Sequence, residues 1–248
     1  MGKGLDRRDF CKIGGLLTAG TAVGVGLPLV PIYGASATDK AADPSEKRWG
    51  MVIDARKCDK DCTACLTACR EENNVALHDD PLIDIHWIRK ATIRRKVENA
   101  KAVTAPLLCN HCDHPPCALV CPVQATYKRK DGIVIVDKHR CIGCRYCLIA
   151  CPYNMRMFNF KENHVQQNKD YPTRAHGVSE SCHFCHHRLD RGLEPACVEA
   201  CSKAGHGALV FGDLNDPSSE VSRIVADTVV HGLREDLGTK PKIYYIGL

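Results

Sequence analysis

The chain has 248 residues, 17 of them cysteine and only 6% aromatic, with a formal charge of +5 from 34 basic and 29 acidic side chains. This composition excludes a disordered chain, a collagen-like chain and a multi-span membrane protein, and the charge balance marks no concentrated basic face for nucleic acid. The length allows one large domain or two small ones, and about 7% cysteine exceeds what core packing uses, so crosslinking or metal ligation is called for.

Residues 1–37 read as a leader. Lys3, Arg7, Arg8 and Lys12 form a basic start, Ile13 to Ile32 carries no charge, and Ala35-Ser36-Ala37 is a small-residue cleavage site. Arg7-Arg8-Asp9-Phe10-Cys11-Lys12 resembles the twin-arginine signal, a route for proteins exported already folded. The competing reading is a membrane tether, since the apolar run is long enough to span; five glycines from Gly14 to Gly26 make it a poor core helix. The segment holds four basic and two acidic residues, so the remainder carries +3, and it takes Cys11 with it, leaving sixteen cysteines.

Those sixteen fall into four groups of four. Trp49 to Asp54 is expected as a short strand leading into group one, Cys58, Cys62, Cys65 and Cys69, with a helical turn over Leu66 to Arg70. Ile83, Ile85, Trp87 and Ile88 are expected in an edge strand, and Arg89, Lys90, Arg94, Arg95 and Lys96 on a solvated face. Group two is Cys109, Cys112, Cys117 and Cys121. Tyr127 to Val136 has the pattern of a hairpin turning at Asp131-Gly132. Group three, Cys141, Cys144, Cys147 and Cys151, has the C-x2-C-x2-C-x3-C-P run of bacterial ferredoxins with Pro152 in place. Met155 to Pro172 lacks a clean period and is expected to wrap the outside. Group four is Cys182, Cys185, Cys197 and Cys201. Ala208 to Phe211 is expected as a cover over that group. A capped helix follows from Glu220 toward Leu233 with Val221, Ile224, Val225 and Val229 on its buried face. Gly238 to Leu248 reads as an extended tail in which Tyr244-Tyr245-Ile246 packs on the body or on another subunit.

Three closely spaced thiolates reach three corners of one iron–sulfur cubane, and the fourth, one helical turn on, points to a neighbouring one. Sixteen cysteines therefore suit four clusters of the 4Fe–4S type. By this crossing the sets are Cys58, Cys62, Cys65 and Cys201; Cys69, Cys182, Cys185 and Cys197; Cys109, Cys112, Cys117 and Cys151; and Cys121, Cys141, Cys144 and Cys147. Pairing group one with two and three with four stays open, because connectivity is not readable from spacing. A disulfide scaffold gives no reason for the near-repeat, and zinc sites normally pair two C-x-x-C elements without the compact third cysteine. The expected class is α+β: two ferredoxin-like modules with short hairpins, small helices and long loops. Residues 106–159 form a central module, 38–105 with 160–212 a discontinuous outer one, and 213–248 a C-terminal helix and tail.

Group one departs from the pattern, with three residues between Cys58 and Cys62, and Asp59 and Asp61 there bring negative charge that lowers a cluster potential. Among twelve histidines, His111, His114, His183, His186 and His187 flank cysteines. Cys182-His183-Phe184-Cys185-His186 is formally a c-type haem pattern, but that use strands Cys197 and Cys201; covering cluster edges or donating to sulfur is the preferred role. There is no Walker lysine motif, dinucleotide fingerprint or serine elbow, so no catalytic residue is assigned.

The ordered cysteine groups, Cys151-Pro152-Tyr153-Asn154-x-Arg156 and the ending Lys240-Pro241-x-Ile243-Tyr244-Tyr245 resemble the four-cluster iron–sulfur subunits of dimethyl-sulfoxide-reductase-like and NrfC-like redox complexes, over nearly all of residues 45–248. With the leader, the resemblance is to the periplasmic branch. It implies a non-catalytic relay of single electrons on the outer face of the cytoplasmic membrane, between an NrfD-like quinone-interacting membrane subunit and a multihaem cytochrome c or molybdopterin subunit. An enzyme reducing a small anion at an exposed cluster and a zinc-stabilised interaction module are the competing classes.

Overall fold

The computed structural model describes residues 47–94, 99, 101–163 and 166–248. The leader with its twin-arginine pair, and Arg95 and Lys96 of the basic stretch, lie outside the described residues. Strand β1 (Trp49–Asp54) has five consecutive buried residues, so both of its faces are covered. Met51 and Ile53 join the main core, while Val52 points the other way, as the two-residue period of a strand requires.

Helix α1 (Ala64–Asn73) is longer than the expected turn. It places Cys65, Cys69 and Asn73 on one buried stripe at four-residue intervals and ends at Asn74, whose left-handed backbone (φ 50°) returns its N–H to the Arg70 carbonyl. The expected strand from Ile83 starts later. The N–H groups of Ile83 and Asp84 both bond to the Asp80 carbonyl, a local turn that withholds them from a ladder. Strand β2 (Ile88–Ile93) then pairs antiparallel with β3 (Val103–Leu108), in register from Ile88–Leu108 to Ile93–Val103.

Pro115-Pro116 opens the short helix α2 (Pro116–Leu119), a position where the missing N–H costs nothing. Strands β4 (Thr126–Lys128) and β5 (Val134–Val136) form the expected hairpin, but not on a two-residue primed turn. Gly132 donates to the Arg129 carbonyl, Arg129 to that of Ile133, and of Asp131 and Gly132 only the glycine has positive φ (81°). This is the longer loop with a glycine bulge. A side chain at Gly132 would collide with the Lys242 ammonium, which bonds to the Gly132 carbonyl.

Helix α3 (Tyr146–Ala150) ends where Cys151 turns extended ahead of Pro152. Between Met155 and Pro172 the chain does not simply wrap the outside: Met155, Arg156, Asn159 and Asn163 are buried. There β6 (Met157–Phe158) pairs with β7 (Ser179–Glu180). Helices α4 (His186–Leu189) and α5 (Ala196–Lys203) follow, and α5 packs on α1. Strand β8 (Leu209–Asp213) joins β1 antiparallel rather than forming a separate cover.

Helix α6 (Glu220–Asp227) stops six residues short of the expected end, because Thr228 turns extended (φ −123°, ψ 144°). Val221 is fully buried against Val52, whereas Val229 lies past the helix and is 78% exposed. The two-residue strand β9 (His231–Gly232) and β10 (Ile243–Ile246) complete a four-stranded sheet of order β8-β1-β10-β9. The tail thus packs on the body: β10 runs parallel to β1, and Tyr245 is fully buried. The architecture is mixed α+β, with short antiparallel hairpins, small helices and long loops, consistent with ferredoxin-like modules.

Candidate metal centres

All sixteen cysteines of the described chain are free thiols. Cys58, Cys62 and Cys65 line one cavity together with Cys201, which α5 brings from the far end of the sequence. Burial pushes the Cys65 thiol up to about 11, and Cys201, Cys58 and Cys62 add to the rise. The extra residue of group one is taken up by an Asp59 turn. Asp59 Oδ1 accepts from the N–H groups of Asp61 (2.7 Å) and Cys62 (3.1 Å), which hold its carboxyl below the usual range. Asp59 does line this cavity, while Asp61 is exposed and paired with Lys60. Lys90, expected on a solvated face, lines the cavity too and donates to the Asp59 carbonyl.

Cys69, Cys182, Cys185 and Cys197 are all buried. Desolvation drives Cys69, Cys182 and Cys197 well above the ordinary thiol range, and each is raised further by other members of this set. Asn73, one turn beyond Cys69, aims Nδ2 between them, 3.8 Å from Cys69 Sγ and 3.5 Å from Cys185 Sγ.

A third cavity is lined by Cys109, Cys112, Cys117 and Cys151, with Pro115, Pro116 and Pro152 as its rigid rim. Burial pushes Cys109 up to about 12 and Cys112 up to about 11. Arg156 is buried here; its Nη2 donates to Cys117 Sγ at 3.2 Å, and its Nη1 has no partner among the described residues. Burial acts against this charge, yet the neighbouring Cys117, Cys109 and Cys147 keep the guanidinium more firmly protonated than usual.

The remaining cysteines sit nearer the surface: Cys144 is exposed, Cys121 and Cys141 are half-buried, and only Cys147 is buried. Burial and the charges of Cys117 and Cys141 raise Cys147, whose Sγ lies 3.2 Å from Ser179 Oγ. Burial also acts to raise Cys121, but the backbone N–H groups of Thr126, Ala125 and Val123 outweigh it and hold this thiol below its ordinary value. The Ala125 N–H reaches Cys121 Sγ at 3.2 Å.

Crowded, buried thiols are poor places for bare thiolates and good places for thiolates shared with a cation. Sets of soft sulfur donors, with Asn73, Arg156 and backbone N–H groups aimed at sulfur, fit an iron–sulfur cluster in donor chemistry and in surroundings. Three of the flanking histidines have partners other than sulfur. His111 accepts from the Val134 N–H and stacks on Phe184, and His183 and His187 pair with Tyr171 and Glu72. Asn73 was missed, although its place eight residues after Cys65 and four after Cys69 is the helical signal that marks it.

Comparison with known proteins bears on the same residues. A family model described as a 4Fe-4S dicluster domain matches residues 100–214. The chain is 41% identical to the Hdr-like menaquinol oxidoreductase iron-sulfur subunit 1 of Archaeoglobus fulgidus, across 98% of each protein. It is 35% identical to the iron-sulfur cluster-binding subunit of the menaquinone reductase of Nitratidesulfovibrio vulgaris, over 80% of this chain and 88% of that one. With protein NrfC of Escherichia coli the identity is 36%, over 80% of each. Joined to the clustered thiols, these similarities show that the chain belongs to the NrfC- and dimethyl-sulfoxide-reductase-like family of iron–sulfur electron-transfer subunits, which are non-catalytic members of oxidoreductase complexes.

Proposed function

We propose that the chain carries four clusters of the 4Fe–4S type and relays single electrons between a membrane quinone-interacting subunit and a second redox partner. The ligand sets are Cys58, Cys62, Cys65 and Cys201; Cys69, Cys182, Cys185 and Cys197; Cys109, Cys112, Cys117 and Cys151; and Cys121, Cys141, Cys144 and Cys147. The observation that carries this reading is that Cys201 lines the same cavity as Cys58, Cys62 and Cys65. The packing of α1 on α5 and of α2 on α3 supports an outer module, from residues 38–105 and 160–212, around a central one at 106–159, with 213–248 closing the sheet.

When bound, each cluster supplies a centre that changes its charge by one, held in a matrix that limits reorganisation. The chain's own residues set the conditions. Burial excludes water from Cys69, Cys182, Cys185 and Cys197, Asn73 and Arg156 place donors at sulfur, and the exposed Cys144 leaves one end of the array at the surface.

The partners proposed are an NrfD-like integral membrane subunit and a multihaem cytochrome c or molybdopterin subunit, with the chain exported by the twin-arginine route to the periplasmic face. Among the described residues no helix is long and apolar enough to cross a membrane; the attachment proposed is through partners or the leader. The menaquinol and menaquinone named in the Archaeoglobus and Nitratidesulfovibrio relatives support the quinone side. The specific counterpart we favour is the iron–sulfur protein of the sulfite-reduction-associated membrane complex of sulfate respiration. Anaerobically purified protein should hold about sixteen iron and sixteen sulfide per chain. About eight iron would overturn the four-cluster count, and a colourless zinc protein would replace the relay with a zinc-stabilised interaction module. Co-purification from detergent-solubilised membranes identifies the partners.

A further inference from the structure

The histidines around group four are left over by the electron-transfer reading. His183, His186 and His187 each offer a ring nitrogen within 4.8 Å of one from each of the others, the sole such grouping among the described residues. Their ring planes are close to perpendicular, at 76°, 77° and 89°, with centroids 4.6, 5.8 and 6.0 Å apart. Three rings gathered edge to face around one point are arranged as ligands of a single ion are, not as a stack.

The hydrogen bonds sort the nitrogens. Nδ1 of all three histidines is buried and without a partner. On the far side of two of the rings, His187 Nε2 lies 2.7 Å from Glu72 Oε1 and His183 Nε2 3.1 Å from the Tyr171 hydroxyl. An imidazole whose outer nitrogen is held by a carboxylate or hydroxyl while its inner one is free is the usual environment of a histidine metal ligand. Arg188 in turn fixes Glu72 at 2.9 Å. His183 and His186 line an open pocket that also holds Tyr171, Trp87 and Glu180, which supplies a path for an ion and room for a water.

We infer that His183, His186 and His187 bind one divalent transition-metal ion, Zn2+ best matching the donor set, through their Nδ1 atoms with water in the fourth position. Three neutral imidazoles with an open place suit tetrahedral zinc, whose bonds of about 2.0–2.1 Å separate ligand nitrogens by about 3.4 Å. One ring nitrogen of each histidine already lies within 4.8 Å of one from each of the others. The ion changes no charge during electron transfer. It staples α4 to α1 through Glu72 and so fixes the loop that presents Cys182 and Cys185.

The site does not depend on how many clusters the chain carries, and its test is separate from theirs. Anaerobically purified full-length protein is stripped of loose metal with a mild chelator, titrated with Zn2+ alone, and measured for zinc, for iron and at the zinc K-edge. The expected result is one tightly held zinc per chain with only nitrogen and oxygen ligands near 2.0 Å, lost on His186→Ala with iron content unchanged. Absence of bound zinc, zinc equally retained by His186→Ala, or a shell containing sulfur near 2.3 Å overturns the proposal. If the variant loses iron as well, the wild-type ligand shell decides by itself. Low iron with nitrogen-bound zinc would refute four clusters and leave this site standing.

Discussion

The thiols of Cys69, Cys182, Cys185 and Cys197 and those of Cys121, Cys141, Cys144 and Cys147 each take three members from one cysteine group and one from another, but they live in opposite surroundings. The first four are all buried, with Cys69 on α1, Cys197 on α5 and Asn73 beside the sulfurs of Cys69 and Cys185. The second four include the exposed Cys144 and are bordered by Ile142, Tyr146 and Ile149, which are 65%, 58% and 84% exposed. The same three-plus-one division of thiols therefore occurs in two different environments. A buried set keeps water away and is bound up with the stability of the fold, whereas an exposed set keeps a short path to a partner.

The largest effect should follow from breaking the buried set. Cys197→Ala removes a proposed ligand from a site where burial pushes Cys69 and Cys182 well above the ordinary thiol range, so the protein should lose about four iron atoms and much of its cooperative unfolding, because cluster binding and folding are linked. Iron analysis together with thermal unfolding of the anaerobic protein reads both. Cys144→Ala should disturb the cluster content by a similar amount but lower the unfolding midpoint by less than half as much, since that side chain covers little core. Equal loss of stability in the two variants would erase the contrast between the sets.

How much of this was legible in the sequence differs by kind of information. The strand Trp49–Asp54 and the hairpin around Gly132 were readable because local residue choice decides them. The parallel pairing of β1 with β10 was not, because 188 residues separate Asp54 from Ile243 and no local pattern sets that register. Helix α6 was overextended because Val229 keeps the apolar period after the backbone has left the helix at Thr228. The candidate ligands stand out by spacing alone. Their surroundings do not: Lys90 and Ser179 reach the thiol sites from other strands, and only folding brings them there.

Between the two extremes lies Arg156, the buried cation beside Cys109, Cys117 and Cys147. Arg156→Met removes a charged donor to sulfur and leaves the thiolate side more negative, which favours the oxidised cluster. A charge-assisted hydrogen bond contributes about 1.5–3 kcal/mol, and at about 2.3 kcal/mol per 100 mV the potential of the centre proposed at Cys109, Cys112, Cys117 and Cys151 should fall by about 65–130 mV. A redox titration followed by electron paramagnetic resonance checks it; an unchanged or raised potential would show that the guanidinium serves packing alone.

The smallest shift is expected at Asn73, and it bears most directly on the contrast between buried and exposed sets. Its amide is neutral and lies 3.5 and 3.8 Å from two sulfurs, longer than the 3.2 Å contact of Arg156, so each bond is weak. A neutral hydrogen bond contributes about 0.5–1.5 kcal/mol, which at about 2.3 kcal/mol per 100 mV converts to a drop of about 20–65 mV for Asn73→Leu. The drop should be confined to the centre that Cys197→Ala abolishes, because Asn73 touches sulfur only in that set. Leucine favours the helix, but it gives up the Asn73 bond to the Cys69 carbonyl at 3.0 Å, so unfolding should be followed in parallel. A shift that matched Arg156→Met, or one that spread to the exposed set, would mean that potential is governed by the shape of the whole module and not by the donors nearest each group of thiols.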